Sequence, residues 1–174
     1  MSKIVVVTAV GRDQPGIVAA LTGAVYHAGG NLDDATMTRL HGVFSTMLSV
    51  QIGKDHSLEE LRTYLDGVGE SLGLIISAEE IDADYEPEAQ PDHLITVYGA
   101  DKPGIVYGIT TRLASVGVNI TDMDTRVAGG SDKPVYVMIL EVVAGDLDLS
   151  ALLSQIRTEL NVAIAVQSLD SEAL

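Results

Sequence analysis

Apolar and polar positions along this chain alternate in two rhythms, and the rhythms come in the same order twice. Short apolar runs from Lys3 to Val10 and from His93 to Gly99 read as strands. The spacing then becomes helical: Ile17, Leu21, Val25 and Ala28 fall on one face, as do Ile105, Ile109, Leu113 and Val116. Pro15 and Pro103 stand just ahead, which assigns them to the first helical turn, where a missing N–H costs nothing. Gly29 and Gly117 fall where a helix C-cap is expected. Two strands follow, near 31–40 and 44–53 and again near 119–128 and 134–144. Leu40-His41-Gly42-Val43 and Ala128-Gly129-Gly130-Ser131 supply the turns between them. A second helix begins at Ser57, with Glu60 completing a capping box, and Asp148 takes the cap position in the second pass. Final strands run near 74–82 and 162–169.

The order β-α-β-β-α-β, met twice, predicts an α+β chain of two tandem ferredoxin-like units. Each has a four-stranded antiparallel sheet with both helices on one face. Residue identities support a duplication. At an offset of 88, Thr8, Gly11, Asp13, Pro15, Gly16, Ile17 and Val18 recur as Thr96, Gly99, Asp101, Pro103, Gly104, Ile105 and Val106. Thr22, Gly29, Asn31 and Asp34 recur as Thr110, Gly117, Asn119 and Asp122. Beyond a longer second hairpin an offset of 91 matches Met47 with Met138, and Leu58, Leu61 and Leu65 with Leu149, Leu152 and Ile156. The segment Glu79 to Asp92 holds seven acidic residues and no basic one, with Pro87 and Pro91, and reads as a strand exit followed by a solvated linker. The predicted division is 1–86, a linker at 87–92, and 93–174.

Charge narrows the function. The net charge is −15, and residues 1–87 and 88–174 contribute −8 and −7. Neither half offers a basic face to phosphate, which argues against direct nucleic-acid binding and against an anionic membrane surface. There is no cysteine, so no disulfide, thiolate metal site or cysteine nucleophile. The opening run is too short for a signal h-region and no apolar run approaches a membrane span, so a cytoplasmic protein is expected. In Val135-Tyr-Val-Met-Ile-Leu-Glu-Val-Val143 both alternating faces are largely apolar. Helices cover one face only, so the other calls for the sister unit or another chain, and a homodimer is expected.

The chemistry lies in one recurring constellation, Gly-x-Asp-x-Pro-Gly-Ile-Val followed by Gly-x-Asn. The loop leaving the first strand presents backbone N–H groups at a helix start, which suits a carboxylate. Its glycine allows close backbone approach. The asparagine opening the second strand is expected beside that loop, offering an amide. Asp13 and Asp101 could receive an ammonium, so the set matches the two charges of an α-amino acid. Taken singly, an aspartate before Pro-Gly is also a common helix cap, and an asparagine after glycine a common turn residue.

On these residues the chain resembles the ACT domain over nearly its whole length, as two tandem units. The arrangement of two units and little else resembles the glycine cleavage system transcriptional repressor family. The resemblance implies a non-enzymatic regulatory protein that binds a small amino acid, glycine or serine favoured, where ACT units meet, and acts through a protein partner. The residues it implies are Asp13, Gly16, Ile17 and Asn31 in the first unit, and Asp101, Gly104, Ile105 and Asn119 in the second. Some serine-binding members have Asn where this chain has Asp13 and Asp101, and His where it has Gly11 and Gly99. The competing reading is a ligand-free assembly module.

Other features carry less. Asp122-Met-Asp124-Thr125 matches the spacing of a phosphatase nucleophile motif, but it falls inside the second repeat at a strand start. His27, His41, His56 and His93 lack metal spacing and read as surface or turn residues; of these, His41 in the hairpin is the one a ligand could meet. No nucleophile–base arrangement is present, and no cofactor or metal is expected.

Overall fold

The computed structural model describes residues 3–81, 89–129 and 134–169. The chain divides into two compact units, Met1–Glu86 and Pro87–Leu174. The first contains β1 (Lys3–Arg12), α1 (Ile17–His27), β2 (Gly30–Leu40), β3 (Val43–Ile52), α2 (Leu58–Leu72) and β4 (Ile75–Ile81). The second contains β5 (His93–Ala100), α3 (Ile105–Ala114), β6 (Asn119–Ala128), β7 (Val135–Val143), α4 (Leu149–Leu160) and β8 (Ala163–Ser168). The sheets are antiparallel with strand orders β2-β3-β1-β4 and β6-β7-β5-β8, the split-βαβ topology the sequence predicts. No described helix is long and apolar enough to cross a membrane.

Alternation places one side of the central strands β1, β3, β5 and β7 in the core. Val5, Val7 and Ala9 of β1 join Phe44, Leu48 and Val50 of β3, closed over by Ile17, Leu21 and Val25 of α1 and by Leu61 and Leu65 of α2. In the second unit Ile95, Val97, Met138, Leu140 and Val142 meet Ile105, Ile109 and Leu113 of α3 and Leu149 and Leu153 of α4. The sheets' other faces keep apolar side chains in solvent. Ile75 is 80% exposed, Met47 51% and Val43 45%. Val135, Ile139 and Tyr98 are likewise exposed in the second unit.

The register corrects the second half of the internal alignment. Thr36 pairs with Met47, and its equivalent Asp124 pairs with Ile139, so Ile139 and not Met138 is the counterpart of Met47. Met138 is fully buried while Met47 is half exposed, because a one-residue slip turns a strand side chain to the opposite face. The second helices are also out of step with the offset of 91. The fully buried pair Leu61 and Leu65 corresponds to Leu149 and Leu153, whereas Leu152 and Ile156 are only partly buried. α2 carries an extra first turn, and its capping box is complete: Ser57 Oγ accepts from Glu60 N–H while Glu60 accepts from Ser57 N–H. Asp148 caps α4 through Ala151 N–H, as expected. α3 ends at Ala114, so Val116 lies outside it and is exposed; Val118 is buried instead.

Asp92 also departs from expectation. It is no solvated linker residue, and His93 is not a free surface group. The Asp92 carboxylate accepts from Ala144 N–H at 2.9 Å and Gly145 N–H at 2.7 Å, and lies 2.7 Å from His93 Nδ1. Its backbone bonds Val142 and Leu169. This one residue clips the start of β5 to the β7–α4 loop and the end of β8. Asp82–Glu88 of the predicted linker, and Gly130–Lys133 of the second hairpin, lie outside the described residues.

Candidate functional site

The two β-to-α loops fold alike because their glycines allow it. Gly16 (φ 95°, ψ −9°) and Gly104 (φ 94°, ψ −7°) are the N-caps of α1 and α3, both left-handed, and neither helix has a side-chain cap. A residue with a Cβ is strained at that φ. The prolines therefore fall outside the helices they were expected to open: Pro15 and Pro103 belong to the turn before the N-cap, two residues ahead of Ile17 and Ile105, which open the helices. The first-turn N–H groups of α1 and α3 receive no side-chain oxygen from their caps, which leaves donors directed at the loop.

Gly11 and Gly99 have a different job from close approach to a ligand. A Cβ on Gly11 would lie 2.5 Å from Leu74 Cδ2, and one on Gly99 2.7 Å from Val162 Cγ1. These positions are small because the residue after the second helix packs on them.

In the first unit the loop borders a cleft of about 370 Å³ lined by Asp13, Gln14, Gly16, Ile17, Met37 and Arg39, with Phe44 at its base. Arg39 Nη1 donates to Asp13 Oδ2 at 3.1 Å. Asp13 N–H donates to the Gly42 carbonyl at 2.9 Å, tying the loop to the β2–β3 hairpin. That hairpin turns through His41 (φ 50°) and Gly42 (φ 79°), the paired positive φ of a tight two-residue turn. Gln14 donates its amide to the Leu72 carbonyl at 2.7 Å, at the end of α2. Arg39 is the residue sequence reasoning missed; no local motif links it to a loop 26 positions earlier.

The asparagines are elsewhere. Asn31 pairs with Gln51, which pairs with Ile4 at the start of β1, whereas Arg12 at the end of β1 pairs with Val43 and through it Leu40. Asn31 and the Asp13 loop thus sit at opposite ends of one sheet, roughly 25 Å apart at about 3.3 Å per residue. Asn119 pairs with Val143 and is separated from Asp101 in the same way. The expectation that the asparagine lies beside the loop of its own unit is therefore incorrect. Asn31 Nδ2 donates to Asp33 Oδ1 at 3.1 Å, at a register shift between Leu32 and Asp34. The second unit shifts at the same place, between Ile120 and Asp122, where Thr121 Oγ1 donates to the Glu141 carbonyl at 3.1 Å. The shift keeps Leu32 and Ala35 on one face across an extra residue.

In the second unit a recess of about 520 Å³ borders Asp101, with Tyr98, Ala100 and Val135 in its described lining. Tyr136 occupies the place of Phe44: Phe44 pairs with Gly11 and Tyr136 with Gly99. Burial raises the Tyr136 hydroxyl above its ordinary value and the Asp101 charge adds to that, against a hydrogen bond with Thr125. Among the described residues no group of three His, Asp or Glu side chains could hold a metal ion. Asp122 and Asp124 of the phosphatase-like tetrad face the open side of β6, and Asp124 pairs with Arg126 at 2.7 Å.

A βαββαβ unit whose Asp-x-Pro-Gly loop opens an uncapped helix defines the class. Residues 3–79 and residues 93–161 each match the ACT domain, and the chain belongs to the ACT-domain family as two tandem ACT domains. The glycine cleavage system transcriptional repressor of Escherichia coli is 24% identical over 139 residues, 80% of this chain and 73% of that protein. The UPF0237 protein of Methanopyrus kandleri is 33% identical over 78 residues, 44% of this chain and 87% of its own. The crystal structure of an unknown protein from Galdieria sulphuraria has the same fold, with a TM-score of 0.83 at 24% identity, over 97% of this chain and 99% of that one.

Proposed function

We propose that this chain is a non-enzymatic regulatory protein that senses a small amino acid, glycine or serine favoured, and passes the signal to a protein partner in the control of amino-acid metabolism. The glycine cleavage system is the setting its named relative suggests. The observation that carries the reading is the repeated loop: the same left-handed glycine and uncapped helix start occur at Gly16 and Gly104, with an aspartate three residues before each. Helix N–H groups suit the carboxylate of an amino acid and Asp13 or Asp101 its ammonium. Because Asn31 and Asn119 lie at the far end of their own sheets, their part in such a site requires a second ACT unit to bring them to a loop. The net charge of −15, which repels nucleic-acid phosphate, supports output through a protein.

The second reading, a ligand-free assembly module, draws on the apolar side chains left exposed on the sheets, Ile75, Met47 and Ile139 among them. The double variant Asp13→Ala/Asp101→Ala, at the loops that carry the reading, separates the two. A sensor keeps its melting temperature but loses amino-acid binding. A module shows no binding before or after the change and retains its partner.

A further inference from the structure

The duplicated loops are not chemical duplicates. At the position of Arg39 the second unit has Val127: Arg39 pairs with Phe44 and Val127 with Tyr136, so the two stand at the same site of their ladders. The base of the first cleft is the fully apolar Phe44, 2% exposed; its counterpart carries a hydroxyl beside Thr125 and the Asp101 charge. In the first unit a guanidinium and a carboxylate, 3.1 Å apart, both line one cleft of about 370 Å³. Arg39 is two-thirds exposed at its side chain, so one Nη edge remains open to a ligand beside the bond to Asp13. Lys102 in the second unit stands where Gln14 does. Gln14 is directed to the Leu72 carbonyl at the end of α2, so a cation there does not replace one on β2.

Resting on the amino-acid-sensing reading, we infer that Arg39 is the specificity-determining residue of the first unit and that the two units do not bind one amino acid equally. The first takes an α-amino acid zwitterion, its carboxylate on Arg39 and the α1 N–H groups and its ammonium on Asp13. Met37 and Phe44 in its lining favour a small or apolar side chain there. The second, with Val127, has no planar fork for a carboxylate among its described lining residues and binds the same amino acid weakly or not at all. One high-affinity site per chain follows, in place of the two that the repeat suggests.

Calorimetric titration of the full chain with glycine, L-serine and then the other proteinogenic amino acids tests this. The inference expects one tight site per chain, weakened at least tenfold in Arg39→Val, partly restored in Arg39→Lys, and no binding of ethanolamine, which lacks serine's carboxylate. Val127→Arg should strengthen a second site. Melting temperatures should change little across the set, because an exposed ion pair contributes little to the fold. Two equal tight sites, or wild-type affinity in Arg39→Val, would overturn the inference while leaving amino-acid sensing intact. Absence of binding by every amino acid to the wild type would overturn both.

Discussion

At the scale of single residues the two glycines of each motif do opposite things. Gly16 has open space where a Cβ would go but a φ of 95°, so its requirement is conformational. Gly11 has ordinary backbone angles but Leu74 against it, so its requirement is steric. Gly16→Ala is expected to cost about 1–2 kcal/mol, the penalty of a left-handed L-residue. Gly11→Ala should cost a comparable amount that Leu74→Ala partly relieves, although Leu74→Ala alone destabilises. Urea unfolding of the three single variants and the Gly11/Leu74 double variant checks this; additivity in the double variant would refute the steric account. The sequence showed that these glycines recur, but one motif holds both kinds and their difference is tertiary. Arg39 was hidden for the same reason: the hairpin at His41-Gly42 returns it to the Asp13 loop, and no spacing rule encodes that closure.

At the scale of elements, every helix and strand was legible from periodicity, and the errors were errors of phase. Pro15 and Pro103 mark a helix start, but the left-handed glycine after them delays it. The offset of 91 slid β7 by one residue against β3, and α4 by most of a turn against α2. Leucine-rich segments match at several offsets, and only burial chooses among them. Asp92 looked like one more acid in an acidic run, yet it is the clip of the second unit. Burial pushes its pKa up, but the His93 ring and the Ala144 and Gly145 N–H groups outweigh that and hold it below the usual 3.8. A carboxylate depressed in the folded state contributes stability above its unfolded value and loses it as pH falls through the lower folded one. Asp92→Ala should therefore destabilise by about 1–2 kcal/mol at neutral pH, the worth of charge-assisted hydrogen bonds at a partly exposed site. The wild-type and variant melting curves should converge as pH drops below 3.8. A difference independent of pH down to 2 would contradict the clip.

At the scale of the molecule, the chain carries two small cores and sheet faces with Ile75, Met47, Val135 and Ile139 in solvent. Soluble proteins seldom leave such faces bare. We propose a homodimer: sedimentation equilibrium at micromolar concentration should report twice the chain mass of 18.3 kDa. A monodisperse monomer would refute it. Association also bears on the site. The sequence placed Asn31 beside Asp13 because both belong to one motif, but the antiparallel ladder carries them to opposite ends of a sheet. A site using both residues therefore does not lie within one unit.

The central claim is that this pair of ACT domains binds an amino acid. Calorimetric titration of the purified chain with glycine and L-serine, followed by the other amino acids, tests it most directly. The account predicts saturable heat from at least one of them, with a melting shift equivalent to about 2.7 kcal/mol at 100 times the dissociation constant. No heat and no melting shift from any amino acid up to millimolar concentration would contradict it, and the chain would then stand as an assembly module.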